Sequence, residues 1–161
     1  HNRYENMIDF IYTIPVLSIN REGVTGMGGE FQFKWKPIDT LTFRGSYAYL
    51  DMTDRGGAPI LYRSKHRGQV NVRYQAALVN IQLGIQAWSK QIYEDFLSGS
   101  HFDFPIRELP ERIIPELILS REVNGFTGSL HITNLFDTKY ELIQDFPMPG
   151  RSWQFNLTKT L

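Results

Sequence analysis

Residues 152–161 read SWQFNLTKTL, and their side chains alternate in character. The odd positions are apolar at Trp153, Phe155 and Leu157 and at the final Leu161, with Lys159 as the interruption. The even positions hold only uncharged polar residues. Successive side chains of a β-strand point to opposite faces of the sheet. The stretch therefore predicts a strand with one apolar face and one polar face.

The same two-residue period recurs along the rest of the chain. Seven further segments show it: 3–12, 30–36, 41–49, 66–75, 78–90, 112–123 and 126–133. Short connections alternate with long ones, the short ones near 37–39, 76–77 and 124–125 and the long ones at 13–26, 51–64, 94–111 and 136–150. This arrangement is typical of outer-membrane barrels. We predict an all-β fold, a transmembrane antiparallel β-barrel region of eight consecutive strands with extracellular long loops and periplasmic turns.

Segment 112–123 is the least regular of these, because Pro115 falls inside it. Proline cannot donate a hydrogen bond to a neighbouring strand. We expect this strand to bulge at Pro115 or to begin after it.

The composition narrows the classes of function. The 161 residues include 17 Lys and Arg and 17 Asp and Glu, so the chain lacks the basic footprint of a nucleic-acid-binding protein. The absence of Cys excludes a disulfide scaffold, a zinc-finger framework and thiol catalysis. No apolar run approaches the length of a transmembrane helix, about 18 residues. Because the chain begins at His1 without an initiator Met, we expect a processed product or a segment of a longer protein.

The alternation also fits a soluble eight-stranded barrel of lipocalin type, in which the apolar face points inward. Three features favour the membrane version. The polar faces mix charged and amide side chains, as around a hydrated lumen, and the short and long connections alternate systematically. Tyr and Trp also stand near the ends of the apolar faces, as in the aromatic girdles of membrane barrels, at Trp35, Tyr47, Tyr49, Tyr74 and Trp153.

Two stretches near the C-terminus carry a more specific signal. Residues 132–140 read ITNLFDTKY and residues 146–153 read FPMPGRSW. The first resembles the penultimate-strand signature of TonB-dependent outer-membrane receptors, an Asn-Leu-Phe-Asp run followed by Tyr. The second is similar to the Pro-Gly-Arg step that begins the last strand of these receptors. The matching residues are Asn134, Leu135, Phe136, Asp137, Tyr140, Pro149, Gly150 and Arg151.

The resemblance implies a function as well as a fold. Family members have a barrel of about 22 strands filled by an N-terminal plug domain. The eight segments here correspond to the last eight strands, the C-terminal arc of such a barrel, with the plug absent from residues 1–161. These receptors import a scarce ligand such as a ferric siderophore, haem or cobalamin, with energy from the TonB–ExbB–ExbD complex that acts through the plug.

The resemblance also implies a set of partners. They are the rest of the barrel, the plug, outer-membrane lipid and the barrel assembly machinery, and they include no nucleic acid. Leu161 departs from the terminal Phe or Trp that family barrels present to that machinery. Two alternatives remain open: a self-contained eight-stranded outer-membrane barrel with a structural or adhesion role, and a soluble lipocalin-like ligand-binding barrel.

No constellation of residues predicts catalysis. The sequence contains neither a nucleophile elbow nor a phosphate-binding Gly loop, and its histidines lack metal-ligand spacing. The loop carboxylates lack the Gly-punctuated setting of a calcium loop, and they are Asp51, Asp54, Glu94 and Asp95. We therefore predict no enzymatic activity, no metal site and no cofactor.

Candidate ligand-binding residues lie in the long loops and at the upper end of segment 78–90. Aromatic rings stack on many ligands, and loops commonly carry binding sites. We predict ligand contacts from Tyr62, Arg63, Trp88, Lys90, Phe96, His101, Phe102 and Phe104. Charged residues of the polar faces are expected to line the lumen and to contact an anionic ligand or the plug, and these are Glu30, Lys34, Arg44, Arg67 and Arg73.

Overall fold

Strands make up all the regular structure of the described residues. The computed structural model describes residues 2–11, 17–95, 98 and 104–159, with side chains from residue 23 onward. These residues form β1 (Asn2–Ile11), β2 (Leu17–Ile38), β3 (Leu41–Thr53), β4 (His66–Gln75), β5 (Asn80–Trp88), β6 (Gln91–Glu94), β7 (Ile106–Leu109), β8 (Arg112–Val123), β9 (Phe126–Thr133), β10 (Glu141–Ile143), β11 (Phe146–Pro147) and β12 (Ser152–Lys159). Eight of them form one antiparallel sheet in the order β1-β2-β3-β4-β5-β8-β9-β12. The prediction of an all-β fold with eight antiparallel strands is confirmed.

The other four strands form two short ribbons inside long connections. β6 pairs with β7 directly beyond the last pair of β5 and β8, Trp88 with Arg112. β10 pairs with β11 between β9 and β12. The predicted loops 94–111 and 136–150 therefore contain hydrogen-bonded structure. Both ribbons lie beyond the same ends of the strands. We call this end of the strands the loop end and the other end the turn end.

Tight turns join the strands at the turn end, at 39–40, 76–79 and 124–125, in agreement with the predicted short connections. Asn124 and Gly125 have φ angles of 49° and 76°. Left-handed backbone at both central residues defines the type I′ turn, whose twist matches that of the paired strands. The Asn-Gly pair therefore fixes the register of the β8–β9 hairpin.

β2 corrects the prediction for the first hairpin. Residues 17–26 were expected to belong to a long loop, but they pair with β1, while residues 25–38 pair with β3. Four glycines between 23 and 29 hide the two-residue period there, and the prediction of a loop over 17–26 was wrong. At Gly28 an added Cβ would lie 2.2 Å from the Tyr49 carbonyl oxygen, so the strand requires glycine at this position.

The position of β1 also differs from the prediction. Asn2 lies opposite Gly26, and Gly26 lies opposite Met52 near the loop end of β3. All of β1 therefore extends beyond the loop end of the central sheet. Residues 3–11 form the outer part of a long hairpin and do not lie level with the other strands.

Pro115 corrects a second prediction, because β8 neither bulges there nor begins after it. Pro115 lies in register opposite Ile85 of β5. Its carbonyl oxygen accepts a hydrogen bond from the Leu135 amide at 2.8 Å, on the side where β9 has already ended at Thr133. In an antiparallel ladder the N–H and C=O of one residue face the same neighbour. The N–H that proline lacks would therefore have pointed away from β5, so no hydrogen bond with β5 is lost.

The cross-strand register collects the apolar side chains on one face of the sheet. One continuous row of cross-strand partners crosses the sheet from β2 to β12, and each residue in it lies opposite the next. The row contains Trp35, Phe43, Val72, Leu83, Leu117, Ile132 and Trp153. Much of this face is exposed, with Trp35 at 60% and Phe155 at 71% of full accessibility. Buried hydrophobic side chains are few among the described residues: Val24, Ile60, Leu109 and Ile132. The exposed apolar face disfavours the soluble lipocalin-like alternative, which would bury it.

The two outer strands of the sheet are β1 and β12, at opposite edges of the strand order. A self-contained eight-stranded barrel would require these two strands to be neighbours. The observed order disfavours that alternative. The described residues contain no helix that is long and apolar enough to cross a membrane.

Candidate functional site

The second face of the sheet is polar and contains shallow depressions. The charged residues predicted to line a lumen all project from this face, because Lys34 lies opposite Arg44 and the register repeats every second residue. All five are exposed: Glu30, Lys34, Arg44, Arg67 and Arg73. Their common face agrees with the prediction, while their contacts with a plug or ligand stay a prediction.

Trp88 and Arg112 form the centre of the loop end on this polar face. They lie opposite each other at the last pair of β5 and β8, and the Arg112 guanidinium lies 4.9 Å from the centre of the Trp88 ring. Arg112 is 4% exposed, and its Nε has no hydrogen-bond partner within the described residues. A cation over an indole ring is a favourable contact when it is shielded from water. One face of Trp88 is therefore occupied by Arg112.

A hydrogen-bonded chain connects Arg112 to the loop between β3 and β4. Arg112 Nη1 donates to Gln91 Oε1 at 3.2 Å, and Gln91 Nε2 donates to the Tyr62 carbonyl oxygen at 3.2 Å. The Tyr62 amide donates to the Ile92 carbonyl at 2.8 Å, and its ring stacks on Tyr93 with centroids 6.2 Å apart. Tyr62 has a φ of 55°, an uncommon conformation for a bulky residue. The loop is thus held on β6 at the cost of local backbone strain.

The other predicted ligand-binding residues are more scattered. Arg63 is exposed beside Lys65 and His66, and Lys90 forms an ion pair with Glu108 at 2.6 Å. Phe104 is half-buried, and Phe96, His101 and Phe102 lie outside the described residues. The sequence interpretation missed Arg112, Gln91 and Tyr93. Arg112 could have been found from the sequence, because it occupies an even position of segment 112–123 and these positions form the polar face.

Two of the loop carboxylates that were considered for calcium, Asp54 and Asp95, accept hydrogen bonds from the protein itself. Asp95 is buried, accepts hydrogen bonds from Arg107 Nε at 2.7 Å and Gln144 Nε2 at 3.2 Å, and is also bonded to Ser98. Asp54 Oδ1 accepts the amides of residues 56 and 58. Through Gln144, the Asp95 contacts join the β6–β7 ribbon to the turn of the β10–β11 ribbon. These carboxylates stabilise the loops.

Two charged pairs near the ends of the sheet have perturbed ionisation. The Asp51 carboxylate forms an ion pair with Lys65 Nζ at 2.7 Å and raises the pKa of Lys65 above its ordinary value of 10.5. At the turn end, the hydrogen bond from Lys36 to Asp39 lowers the pKa of the Asp39 carboxyl. Both pairs are local to connections between strands.

Aromatic side chains cluster at both ends of the apolar face. At the turn end, Trp35 stacks on Phe43 with centroids 5.3 Å apart. At the loop end, the Tyr47 hydroxyl and His66 Nδ1 are hydrogen-bonded at 2.7 Å, and the Tyr49 ring lies 5.1 Å from that of His66. Amphipathic rings in two belts are typical of the interfaces of a membrane barrel.

The C-terminal motif residues form a clasp between the end of β9 and the start of β12. Asn134 is 3% exposed and has a φ of 48°. Its Nδ2 donates to the Thr138 carbonyl at 2.9 Å and to the Pro149 carbonyl at 3.3 Å, and its Oδ1 accepts the Thr138 amide at 2.9 Å. A small amide that tolerates left-handed backbone satisfies all these requirements. We call these contacts the Asn134 clasp.

Asp137 closes the same loop from a second side. Its Oδ1 accepts the Arg151 amide at 2.8 Å. An added Cβ at Gly150 would lie 2.6 Å from this oxygen, so the close approach requires glycine. The Tyr140 carbonyl oxygen accepts a hydrogen bond from the Met148 amide, whereas the Phe136 side chain is 73% exposed. The motif therefore has a structural role in this chain.

Comparison with known proteins identifies the fold. No family model and no curated protein matches this sequence. The pyoverdine outer membrane receptor FpvA from Pseudomonas aeruginosa PAO1 matches 99% of this chain and 26% of its own, with a TM-score of 0.78 and 12% identity. The copper transporter OprC matches 95% of this chain and 26% of its own, with a TM-score of 0.73 and 17% identity.

A third solved structure, the ferric-catecholate import receptor Fiu from K12 E. coli, has a TM-score of 0.70 and 16% identity over 94% of this chain and 23% of its own. The chain thus spans about a quarter of the length of these transport receptors. The structural match agrees with the fold that the sequence resemblance implies. The chain has the fold of a run of consecutive strands from TonB-dependent outer-membrane receptors.

Proposed function

We propose that this chain is the C-terminal eight-strand region of an outer-membrane receptor that imports a scarce ligand with TonB-coupled energy. The observation that carries the proposal is the orientation of the two faces. The apolar face is exposed and has aromatic clusters at both ends, as lipid contact requires, and the polar face carries the five charged residues predicted to line a lumen. The match with outer-membrane receptors over nearly the whole chain supports the same reading.

In this proposal the chain supplies wall and loops and performs no catalysis. The rest of the barrel would pair with the edges of the sheet, since unpaired backbone groups are costly in lipid. The plug would occupy the space on the polar face, and the TonB–ExbB–ExbD complex would act through the plug. The barrel assembly machinery would insert the protein into outer-membrane lipid.

The ligand would be bound at the loop end. The Trp88–Arg112 pair, held by Gln91 and Tyr62, offers a buried cation and an aromatic ring on the polar face. The predicted loop residues Arg63, Phe96, His101, Phe102 and Phe104 would add contacts around it. The structural neighbours bind pyoverdine, import ferric catecholates or transport copper, so the candidate ligands are metal complexes or metal ions, together with haem and cobalamin.

Uptake measurements test the proposal. A strain that lacks the gene is compared with the complemented strain and with a tonB-null strain, on a panel of labelled ferric siderophores, haem, cobalamin and copper. We expect uptake of one ligand to be lost in both mutants and restored by complementation. Recovery of the protein in the soluble fraction, or equal uptake of every ligand in all strains, would contradict the proposal. A strain complemented with Trp88→Ala then tests the loop-end site.

A further inference from the structure

The charges on the polar face are unevenly distributed. Where β2, β3 and β4 pair in regular register, from Gly28 to Trp35 of β2, this face carries four cations, Lys34, Arg44, Arg67 and Arg73, and one carboxylate, Glu30. On β5, β9 and β12 the same face is uncharged apart from His131. On β8 it carries Arg112 and Glu122 at the two ends and Glu116 between them. The excess of positive charge is therefore confined to one side of the sheet.

Three of these cations are close neighbours, and we call Lys34, Arg44 and Arg73 the cationic cluster. Lys34 lies directly opposite Arg44. Arg44 lies opposite Asn71, so Arg73 is its diagonal neighbour on the same face. Like charges that face each other across two strands are destabilising. An anion bound between such cations would relieve their repulsion and stabilise the sheet.

The carboxylates of the polar face do not neutralise the cluster. Glu30 accepts a hydrogen bond from Gln32 at 2.6 Å, and Glu116 is paired with His131 at 3.2 Å. Arg73 Nη2 donates to the neutral Gln82 Oε1 at 3.2 Å. Within the part of the chain that the structure describes, none of the three cations forms an ion pair. No carboxylate of the described residues therefore neutralises the cluster.

A depression of about 260 Å³ adjoins Arg44 and Arg73 on the polar face. It is lined by Thr42, Arg44, Asn71, Arg73 and Gln82. Guanidinium groups bind oxyanions through paired hydrogen bonds, and the hydroxyl and amide groups add neutral donors. The volume exceeds that of a single carboxylate or phosphate group, since one water occupies about 30 Å³ in the liquid. The chemistry of the lining therefore fits an oxyanion, and the volume can accommodate one.

We infer that the cationic cluster is an oxyanion-binding site on the polar face, selective for a carboxylate or phosphate group. It lies near the turn end, since Thr42 is the second residue of β3. Arg67, which lies opposite Trp88, is six residues from Arg73 along β4, or about 20 Å. The cluster is thus separate from the loop-end site, and its occupant is either an acidic side chain of a neighbouring part of the protein or a free anion.

Direct binding of inorganic phosphate tests the free-anion source. The protein is purified in detergent without phosphate, and binding is measured by equilibrium dialysis of labelled orthophosphate at low ionic strength. We expect Arg44→Gln and Arg73→Gln each to weaken binding about tenfold or more, because charge-assisted hydrogen bonds are lost. The matched control is Arg121→Gln, which removes an exposed cation from the opposite face of β8. Raising the salt concentration should weaken wild-type binding.

Carbodiimide cross-linking tests the protein-borne source. The reagent joins an amine to a carboxylate in contact, so the Lys34 ammonium should be recovered by mass spectrometry as an amide with an Asp or Glu of the same protein. Lys34→Arg is the control that removes the reactive amine and keeps the charge. Either phosphate binding that depends on Arg44 and Arg73 or this cross-link supports the site and identifies its source.

Absence of both results in the wild-type protein would overturn the inference. Binding that Arg121→Gln weakens as much as Arg44→Gln would overturn it as well. Heat-modifiable mobility on gels confirms that each variant is folded, and Arg73→Gln replaces Arg44→Gln if the latter is not. These experiments measure anion binding and cross-linking and do not measure uptake. A negative result would therefore not contradict the import proposal, and a failure of the import proposal would not contradict this site.

Discussion

Replacing Asn134 with Ala should open the loop between β9 and β12. The Asn134 side chain makes three hydrogen bonds, two with Thr138 and one with Pro149. At about 1 kcal/mol net for each bond, their loss costs about 3 kcal/mol of local stability. The φ of 48° adds about 1–2 kcal/mol, because alanine disfavours left-handed backbone. Asn134→Gly is the matched variant, since it loses the same bonds and tolerates that backbone.

Hydrogen exchange of two amides reports the opening. Leu135 donates to Pro115 and Arg151 donates to Asp137 Oδ1, and neither bond involves the Asn134 side chain. A loss of about 3 kcal/mol raises the local opening constant roughly 100-fold. In detergent-solubilised protein, both amides should therefore exchange about 100-fold faster in Asn134→Gly and faster still in Asn134→Ala.

The control for this prediction is Asn124→Ala. Asn124 has a φ of 49° but lies exposed in the β8–β9 turn and makes no side-chain hydrogen bond within the described residues. Its replacement should destabilise that turn and leave the exchange of the Leu135 and Arg151 amides unchanged. If Asn134→Gly leaves these two amides as protected as Asn124→Ala does, the clasp does not hold the loop, and the reasoning from its hydrogen bonds is refuted.

Three further predictions follow from the two faces and the loop end. Leu83→Arg should fold into liposomes with a cost of about 2–4 kcal/mol relative to Leu83→Ala, and equal urea midpoints for the two variants would argue against lipid contact of that face. In the full receptor, Trp88→Ala should weaken ligand binding by about 1–3 kcal/mol in titration calorimetry, while Asn124→Ala at the turn end should leave it unchanged, and equal losses would indicate a folding defect. Because Asp51 raises the pKa of Lys65, their contribution to stability is fully present below pH 10.5 and is lost as the pH rises through the folded-state pKa. Thermal unfolding should therefore be less sensitive to alkaline pH in Lys65→Met than in wild type, and an identical pH profile would count against the pair.

The motif that carries the family resemblance can now be explained by packing. Asn134 is buried where the chain turns from β9, and Gly150 leaves room for Asp137 to accept the Arg151 amide. These contacts fix the start of β12 next to the end of β9. The motif residues are thus required for closing a long connection, and ligand binding is proposed for other residues of the loop end.

The sequence by itself determined the strands, their two faces and most of the turns. The two-residue period of 152–161 and the Asn-Gly pair at 124–125 are local properties, which a strand and its hairpin express without help from distant residues. The same locality explains the errors. Glycines between 23 and 29 erased the period in β2, and the neighbour that makes Pro115 tolerable lies 20 residues away at Leu135.

Only the tertiary structure decided which residues meet across strands. The sequence placed Lys34, Arg44 and Arg73 on polar faces, but their contact depends on the registers of β2 with β3 and of β3 with β4. The chain of contacts from Arg112 through Gln91 to Tyr62 likewise spans 50 residues of sequence. Alternation fixes the direction of a side chain, whereas register and loop docking, which fix its neighbours, are set by long-range pairing and packing.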